Sequence, residues 1–317
     1  MRARGVVLQG ALAVVGLGVA FFVWKRGPAR APGEVVVLEA PEQALERVRY
    51  EDEAGWVELF REGAGSGGLW LRLGTRQQPV PRELRANETA QQLFVRFAPL
   101  RAMRSLGGLE GEKLAEVGLK GSPRKLAVKL SSGEHTFTLA SSSTGWGSPY
   151  LRRETDGHVF LLGPSLLPDL ENAANRLVDR TLHAFGSGEY DALTVTWEGT
   201  SRTFLVRARA GRPAELVPRD APDAPDETLR RWHERVGLLA SAPADFLGRG
   251  EEPPGGPPRE VLRVEYRREE GVLGHLSLAR GAGGELYART EHTAGWAKLP
   301  PWAESIVLEA RKVVSVR

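Results

Sequence analysis

The densest group of reactive side chains in the sequence lies in the stretch SPYLRRETDGHVFLL, residues 148–162. Within a few positions it holds a phenol, two guanidinium groups, a carboxylate and an imidazole: Tyr150, Arg152, Arg153, Asp156 and His158. This is the inventory of a small polar site, in which an imidazole and a carboxylate could exchange protons with a substrate. The same spacing also fits two strands joined by a turn that carries polar groups.

A later part of the chain decides between these interpretations. The Tyr-x-Arg spacing of Tyr150 and Arg152 recurs as Tyr287 and Arg289. In this second copy the counterparts of Arg153 and His158 are Thr290 and Gly295, which are not reactive. Strand alternation places a tyrosine and an arginine two positions apart on the same face, where the arginine stem packs over the ring. The sequence therefore favours a structural strand pair over a reactive site.

A loop beside this strand pair is the candidate for a contact surface. Trp146 lies in the polar, glycine-flanked stretch SSSTGWGSPY, where its indole would be exposed for contact with a partner. The predicted surface combines this tryptophan with the tyrosine–arginine pairs Tyr150, Arg152, Tyr287 and Arg289. A buried position of Trp146 beneath the neighbouring hairpin is the alternative, and the sequence favours it.

Sequence motifs that indicate catalysis are absent. The chain has no cysteine, which excludes disulfides, thiolate metal sites and cysteine nucleophiles. Its histidines form no HExxH or H-x-x-x-H arrangement, no serine occupies a G-x-S-x-G elbow, and GAGSGG at 63–68 lacks the Gly-Lys-Ser/Thr of a phosphate loop. We therefore expect no catalytic residue, no metal ligand, no cofactor and no enzyme activity. A metal site or a carboxylate pair assembled across the fold stays open.

The distribution of charge argues against nucleic-acid binding. Lysine and arginine number 43 and the acidic residues 40, which gives a formal net charge of +3. The basic residues before position 34, where there is no acidic residue, are Arg2, Arg4, Lys25, Arg26 and Arg30. Without them the net charge of the chain is −2. Because the basic excess belongs to this segment, no nucleic-acid partner is predicted.

Residues 5–24, GVVLQGALAVVGLGVAFFVW, form an uncharged apolar run of 20 residues. As a helix with a rise of about 1.5 Å per residue it would span roughly 30 Å, the thickness of the hydrocarbon core of a bilayer. Trp24 and the basic pair after it are typical of an interfacial edge. The sequence thus predicts a single-pass anchor. A signal peptide cut near ARA at 29–31 is the alternative, but the run is longer than the usual apolar region of such peptides.

Beyond residue 50, short alternating patterns interleave with single amphipathic helices, which is typical of the α+β class. A helix is predicted over 88–106 with Asn87 as its N-cap, and a second helix begins after Asp226. The apolar faces of the two helices are Leu93, Phe97, Leu100 and Met103, and Leu229, Trp232, Val236 and Leu239.

The body of the chain is predicted to be built twice. A hairpin at 125–139, with Leu126, Val128 and Leu130 alternating with polar residues, is matched by VLRVEYRREEGVLGHLSL from residue 261, at nearly the offset that relates the two helices and the two Tyr-x-Arg strands. The predicted fold is a transmembrane helix followed by two related units of antiparallel β-hairpins, each packed with amphipathic helices. The predicted domains are an anchor with its stem, 1–33, a first unit, 34–187, and a second unit, 188–317.

Part of the chain resembles a known bacterial family. The stretch KLAEVGLKGSPRKLAVKL, residues 113–130, is preceded by the tryptophan strand GWVELF and followed by YLRR and by LVDRTLHAF at 177–185, a tract in which an amphipathic helix ends. In these motifs the chain resembles the domain-of-unknown-function 4340 family over about residues 56–240. None of the motifs is chemical.

The resemblance implies an envelope protein that is held in the bacterial inner membrane by residues 5–24, with its body in the periplasm. Proteins of this family are often found beside ATP-binding-cassette transporters of the gliding-motility type. The resemblance therefore implies a non-catalytic accessory or scaffold module whose partners are transporter subunits. The alternatives are an envelope hydrolase or a ligand-binding protein with a site between the two repeats, and a purely structural spacer.

Overall fold

The fold is seen in a computed structural model, which describes residues 34–63, 68–141, 148–163, 166–209, 212–224, 226–243, 245–269 and 271–315. The anchor predicted at 5–24 lies outside these residues. Within them, no helix combines the length and the apolar character that crossing a membrane requires.

The chain order of the described elements runs from β1 near the start to a helix at the end. The strands are β1 (Val35–Leu38), β2 (Leu45–Glu51), β3 (Gly55–Arg61), β4 (Leu69–Thr75), β5 (Gln78–Arg85), β6 (Leu100–Ala102), β7 (Arg104–Gly108), β8 (Lys125–Leu130), β9 (Gly133–Ala140), β10 (Tyr150–Arg153), β11 (His158–Leu161), β12 (Ala192–Trp197), β13 (Thr200–Arg209), β14 (Arg212–Pro218), β15 (Asp245–Phe246), β16 (Arg259–Arg268), β17 (Gly271–Arg280), β18 (Leu286–Thr290) and β19 (Ala297–Lys298). The α-helices are α1 (Glu88–Val95), α2 (Glu112–Glu116), α3 (Leu167–Glu171), α4 (Ala173–Arg176), α5 (Glu227–Leu238) and α6 (Glu304–Val314).

The described strands form three antiparallel sheets. A small sheet pairs β1 with β6. The first large sheet has the order β5-β4-β3-β2-β8-β9-β10-β11-β7, and the second has the order β14-β13-β12-β16-β17-β18-β19-β15. Strands that follow one another in the chain mostly pair as hairpins, and each large sheet closes one edge with a strand, β7 or β15, that comes earlier in the chain than its neighbour.

The two large sheets follow the same path through space. If β5 is set aside as an additional edge strand, the two spatial orders correspond position by position: β4-β3-β2-β8-β9-β10-β11-β7 in the first sheet and β14-β13-β12-β16-β17-β18-β19-β15 in the second. This correspondence matches β8 and β9 with β16 and β17, and β10 with β18. Helices α1 and α5 stand at equivalent points, between the first strands and the edge strand of each sheet. The unit boundaries drawn at 187 and 188 stay a prediction.

One continuous cluster of buried apolar side chains runs through both large sheets, from Val37 to Val314. In the hairpin of β8 and β9, Leu126, Val128 and Leu130 alternate with more exposed residues and point into this core, as the sequence predicted. A small separate cluster, Leu119, Ala140 and Val159, lies on the other face of the first sheet. Because the main core is shared, the two halves fold as parts of one body.

The predicted α+β class is wrong. Strands account for 43% of the described residues and helices, with their 3-10 turns, for 21%, so the body is mostly antiparallel β-sheet. Strand β1 was not recognised as a separate element because it has four residues and its burial does not alternate, so it carries a weak period in sequence.

The helix predicted over 88–106 is wrong beyond its first half. Asn87 caps it as predicted, accepting a hydrogen bond from the Ala90 N–H at 2.9 Å, but α1 ends at Val95. Pro99 cannot donate the backbone hydrogen bond that a helix interior requires, and β6 pairs with β1 instead. Met103, placed on the apolar face by the prediction, is 52% exposed.

At the tract LVDRTLHAF, residues 177–185, a helix of four residues ends, with Leu177 as its C-cap. The last helical turn before it, α4, ends at Arg176, and no helix or strand is formed between residues 179 and 190. We call this segment, residues 179–190, the strap. It connects the end of the first half of the chain to β12, the first strand of the second large sheet.

The two halves also meet along the outer edge of β5. The Arg249 N–H donates to the Glu83 carbonyl at 2.8 Å, and the Arg249 guanidinium donates to both carboxylate oxygens of Glu62 at 2.7 and 3.0 Å while stacking 3.6 Å above the Trp70 ring. A Cβ on Gly248 would lie 2.8 Å from the Glu83 backbone nitrogen, and one on Gly295 would lie 2.4 Å from the Gly248 carbonyl oxygen. Glycine is needed here because main chains pass in direct contact.

We predict that Gly295→Ala lowers the free energy of unfolding by about 1–3 kcal/mol, because the added methyl group meets two backbone carbonyls that cannot rotate away. Urea denaturation measures the change. The matched control is Gly237→Ala in α5, where a Cβ meets nothing within 4 Å and the exchange should instead stabilise the helix by about 0.5–1 kcal/mol. Equal denaturation midpoints for the wild type and Gly295→Ala would contradict the close packing of residue 295 against the main chain of Leu247 and Gly248.

Candidate functional site

The described residues of the predicted contact surface lie on two different sheets. Tyr150 and Arg152 are half-buried on β10 of the first sheet, where the tyrosine packs on the small second cluster. Tyr287 is buried on β18 of the second sheet, and Arg289 is exposed with its guanidinium 5.8 Å from the Trp296 ring. Trp146 lies outside the described residues.

The reactive group at 150–158 is a strand pair with a polar turn, as the sequence favoured. Strands β10 and β11 pair across the turn, and Arg153 donates to both carboxylate oxygens of Asp156 at 3.0 and 2.6 Å. These bonds from Arg153 hold the pKa of Asp156 well below its usual range. Arg153 also donates to the Val37 carbonyl at 2.5 Å, so this group fastens β1 to the sheet.

A cavity of about 580 Å³ lies between the strap, helix α5 and the inner face of the second large sheet. The strap contributes Leu182, His183, Phe185 and Tyr190 to its wall. The helix contributes Arg230, His233, Glu234, Val236 and Gly237, and the sheet contributes Val206, Leu216, Tyr266 and Leu276. Small-molecule sites typically measure roughly 300–1,000 Å³ and have mostly apolar walls with a few polar groups, as this cavity has.

Aromatic rings form one side of the cavity. The Tyr266 ring lies at the centre of this wall, with centroids 4.9 Å from Tyr190, 5.1 Å from His183 and 5.4 Å from Phe185. Each of these three pairs is arranged edge to face, a geometry that stabilises aromatic contacts beyond the area they bury. The wall joins two elements, because Tyr266 belongs to β16 and the other rings belong to the strap.

The strap is fastened to the end of β18 by a row of side-chain hydrogen bonds. His183 Nδ1 lies 3.1 Å from Glu291 Oε1, and His292 Nε2 lies 2.8 Å from Asp179 Oδ2. Between them the Thr290 hydroxyl donates to the Leu182 carbonyl. Ionised carboxylates only accept hydrogen bonds, so both imidazoles donate here. Three consecutive residues, 290–292, thus each hold the strap by one side-chain hydrogen bond.

Both carboxylates of this row are kept ionised. Burial raises the pKa of Glu291, but hydrogen bonds from His183 and from the His275 N–H outweigh it and hold that pKa below its usual value. Burial likewise raises the pKa of Asp179, and hydrogen bonds from Thr181 and His292 bring it below its usual value. A carboxylate stabilised in this way is a strong acceptor, so the fastening persists at neutral pH.

A second polar pair lies in the cavity wall. The Tyr190 hydroxyl and His233 Nε2 are 2.8 Å apart. Burial lowers the pKa of His233 to about 4 and raises that of Tyr190 to about 12, so both groups are neutral at neutral pH. Burial also raises the pKa of Tyr266. His233, Tyr190 and Tyr266 therefore face the cavity as hydrogen-bonding groups without charge. The charged side chains of the wall, Arg230 and Glu234, are paired with each other.

Gly274 of β17 makes room for this arrangement. A Cβ at this position would lie 2.4 Å from Glu291 Oε2 and 2.6 Å from the Phe185 ring. Sequence reasoning missed these residues, because glycine in a strand and a Glu-His dipeptide are weak signals when their partners are distant in the chain. His183 and Glu291 are 108 positions apart. No group of three or more histidine and acidic side chains in the described part of the chain is arranged to hold a metal ion.

Comparison with known proteins found no match: no protein-family model matches the chain, and neither a curated protein nor a solved structure matches it. The resemblance to the domain-of-unknown-function 4340 family stays a prediction from the quoted motifs. Function has to be argued from the site.

The neutral, partly buried imidazole of His233 predicts a specific pH dependence of stability. Its pKa is about 4 in the folded protein and 6.5 ordinarily, so between these values the unfolded chain binds a proton that the folded chain does not. The contribution of neutral His233 to the free energy of unfolding is therefore fully present above pH 6.5 and is lost as the pH falls toward 4. Between pH 6.5 and pH 4 the wild type should therefore lose free energy of unfolding that His233→Gln keeps. We expect the difference between the two losses to be roughly 2–3 kcal/mol.

Urea unfolding measured at several pH values between these limits checks this expectation. His135→Gln, on β9 of the first sheet, is the matched control for the general loss of a histidine. Parallel pH profiles for the wild type and His233→Gln would mean that His233 is not held neutral in the folded protein.

Proposed function

We propose that this protein is a non-catalytic binding module whose cavity beneath the strap holds an apolar small molecule. The observation that carries the proposal is a cavity of about 580 Å³ with an aromatic wall and aliphatic side chains opposite. Apolar surface of this kind gains free energy when a ligand displaces its water, at roughly 25 cal/mol per Å². This is a more specific form of the ligand-binding alternative raised by the sequence, with the site beneath the strap and not between the repeats.

The arrangement of polar groups supports binding over catalysis. The His183 imidazole is oriented by Glu291, but that contact also holds the strap in place, so its role in the fold accounts for it. The His233 imidazole is bonded to Tyr190 and its low pKa makes it a weak base at neutral pH. Both histidines therefore have structural roles that need no substrate.

We further propose that residues 5–24 tether this module to the bacterial inner membrane, with the body in the periplasm beside transporter subunits. The uncharged apolar run supports the tether. The family resemblance supports the location, the transporter partner and the accessory or scaffold role.

Filling the cavity from the position of Gly237 should weaken ligand binding. Gly237 lines the cavity on α5, has ordinary helical backbone and has nothing within 4 Å of a built Cβ. We expect Gly237→Phe to fold normally and to weaken binding of the uncharged fluorescent probe N-phenylnaphthylamine at least about tenfold, since its ring occupies the space of the ligand. Fluorescence titration measures the affinity.

Gly237→Ala is the matched control for this experiment, because it adds only a methyl group and should bind the probe as the wild type does. Unfolding midpoints confirm that both variants are folded. Equal probe affinity in all three proteins, or no binding by the wild type, would contradict a ligand site beneath the strap.

The tether predicts where the protein is found in the cell. Full-length protein should stay in the membrane fraction after a carbonate wash, whereas a form lacking residues 1–33 should be released, because residues 5–24 supply the apolar anchor. Protease added to spheroplasts should digest the body of the full-length protein. Release of the full-length protein by carbonate would contradict the tether.

The partner is tested on the same membranes. Purification of the full-length protein in mild detergent should recover transporter subunits that are missing when only residues 1–33 are used as bait. Recovery of the protein alone would contradict the accessory role and would leave the ligand site unaffected.

A further inference from the structure

We infer that the ligand of this cavity is an uncharged molecule. The cavity binds an anion or a cation with the same apolar chain more weakly. This inference rests on the proposed function, because it specifies the ligand of that site. It follows from how each charge around the cavity is already compensated within the protein.

The positively charged side chain at the cavity, Arg230, is already paired with neighbouring carboxylates. Arg230 lines the cavity from α5, and its guanidinium donates to both oxygens of Glu227 at 2.8 and 2.6 Å and to Glu234 one turn further on. The hydrogen bonds with Glu227 raise the pKa of Arg230. An anionic ligand would have to displace these carboxylates, so Arg230 offers it little net attraction.

The carboxylates near the cavity are likewise already paired or hydrogen-bonded within the protein. Glu234 is paired with Arg230. Glu291 lies behind His183 and accepts both the imidazole N–H and the His275 backbone N–H. Asp179, at the start of the strap, accepts from His292 and from Thr181. A cationic ligand would therefore enter an apolar space without a free carboxylate among these residues, and burying an unpaired charge is strongly unfavourable.

The aromatic wall does not replace a missing carboxylate. Aromatic cages bind cations between ring faces that stand apart, with the cation within about 6 Å of each centroid. Here the rings of Phe185, Tyr190 and Tyr266 contact one another edge to face, with centroids 4.9–6.1 Å apart, which leaves no room for a cation between them. They form a continuous apolar surface for an uncharged body.

The Tyr190–His233 pair provides for a polar end on such a ligand. With both groups neutral, one donates to the other and the phenol oxygen keeps capacity for a further hydrogen bond. A hydroxyl or carbonyl group on the ligand would match this pair without bringing a charge into the cavity. The chemistry that fits is a neutral apolar molecule, such as a long-chain alcohol or ester.

Three molecules with the same chain test this inference: decanol, decanoate and decylammonium, each used at neutral pH to displace N-phenylnaphthylamine from the full-length protein in detergent. We expect decanol to displace the probe with an affinity at least about tenfold higher than either charged molecule, because only the uncharged head avoids desolvation of an ion. Equal affinities for the three, or tighter binding of a charged one, would overturn the inference while the binding function stands. Absence of probe binding would instead overturn the proposed function itself.

A variant that removes the carboxylate partners of Arg230 provides the converse test. In the double variant Glu227→Gln and Glu234→Gln, Arg230 loses both of its carboxylate partners. Decanoate affinity should rise about threefold to tenfold, while decanol affinity stays unchanged. Glu112→Gln and Glu116→Gln on the exposed helix α2 form the control with the same change in net charge. Equal decanoate affinity in the double variant and this control would show that compensation of Arg230 does not set the selectivity.

Discussion

The attachment of the strap to the end of β18 is the interaction on which the site depends. Residues 179–190 have no helix or strand of their own, so their conformation is fixed by what they contact. Asp179 and His183 are held by His292 and Glu291, and the Leu182 carbonyl is held by Thr290. Without this row of bonds the aromatic wall would lose the rings that the strap supplies. The same row joins the connecting segment to the second large sheet.

The chemical character of the cavity follows from this way of fastening the strap. Carboxylates and imidazoles that hold a segment in place are satisfied by each other, and burial keeps the remaining titratable groups, His233 and the tyrosines, in their neutral forms. What reaches the cavity surface is therefore mostly aromatic and aliphatic, with the uncharged phenol and imidazole groups of Tyr190, Tyr266 and His233, and with Arg230 and Glu234 paired to each other. A site of this kind recognises its ligand by shape and by apolar area, with polarity as a secondary constraint.

The sequence predicted features whose causes are local. The caps Asn87 and Asp226 each accept a hydrogen bond from the backbone three residues on, and the β8–β9 hairpin follows from simple alternation. The fold class was wrong because the second half of the predicted helix at 88–106 joins a sheet through tertiary pairing that no local period encodes. The cavity was missed since the strap has no periodicity and its partners at 290–292 lie more than 100 positions away in the chain.

Hydrogen–deuterium exchange of the full-length protein with and without N-phenylnaphthylamine tests the central claim most directly, because it locates the ligand on the chain. Binding beneath the strap should slow exchange in residues 181–190 and 230–240 and leave the strand pair at 150–161 unchanged. Protection at 150–161 without protection of the strap would place binding at the site that the reactive residues of the sequence first indicated. It would contradict the cavity as the functional site.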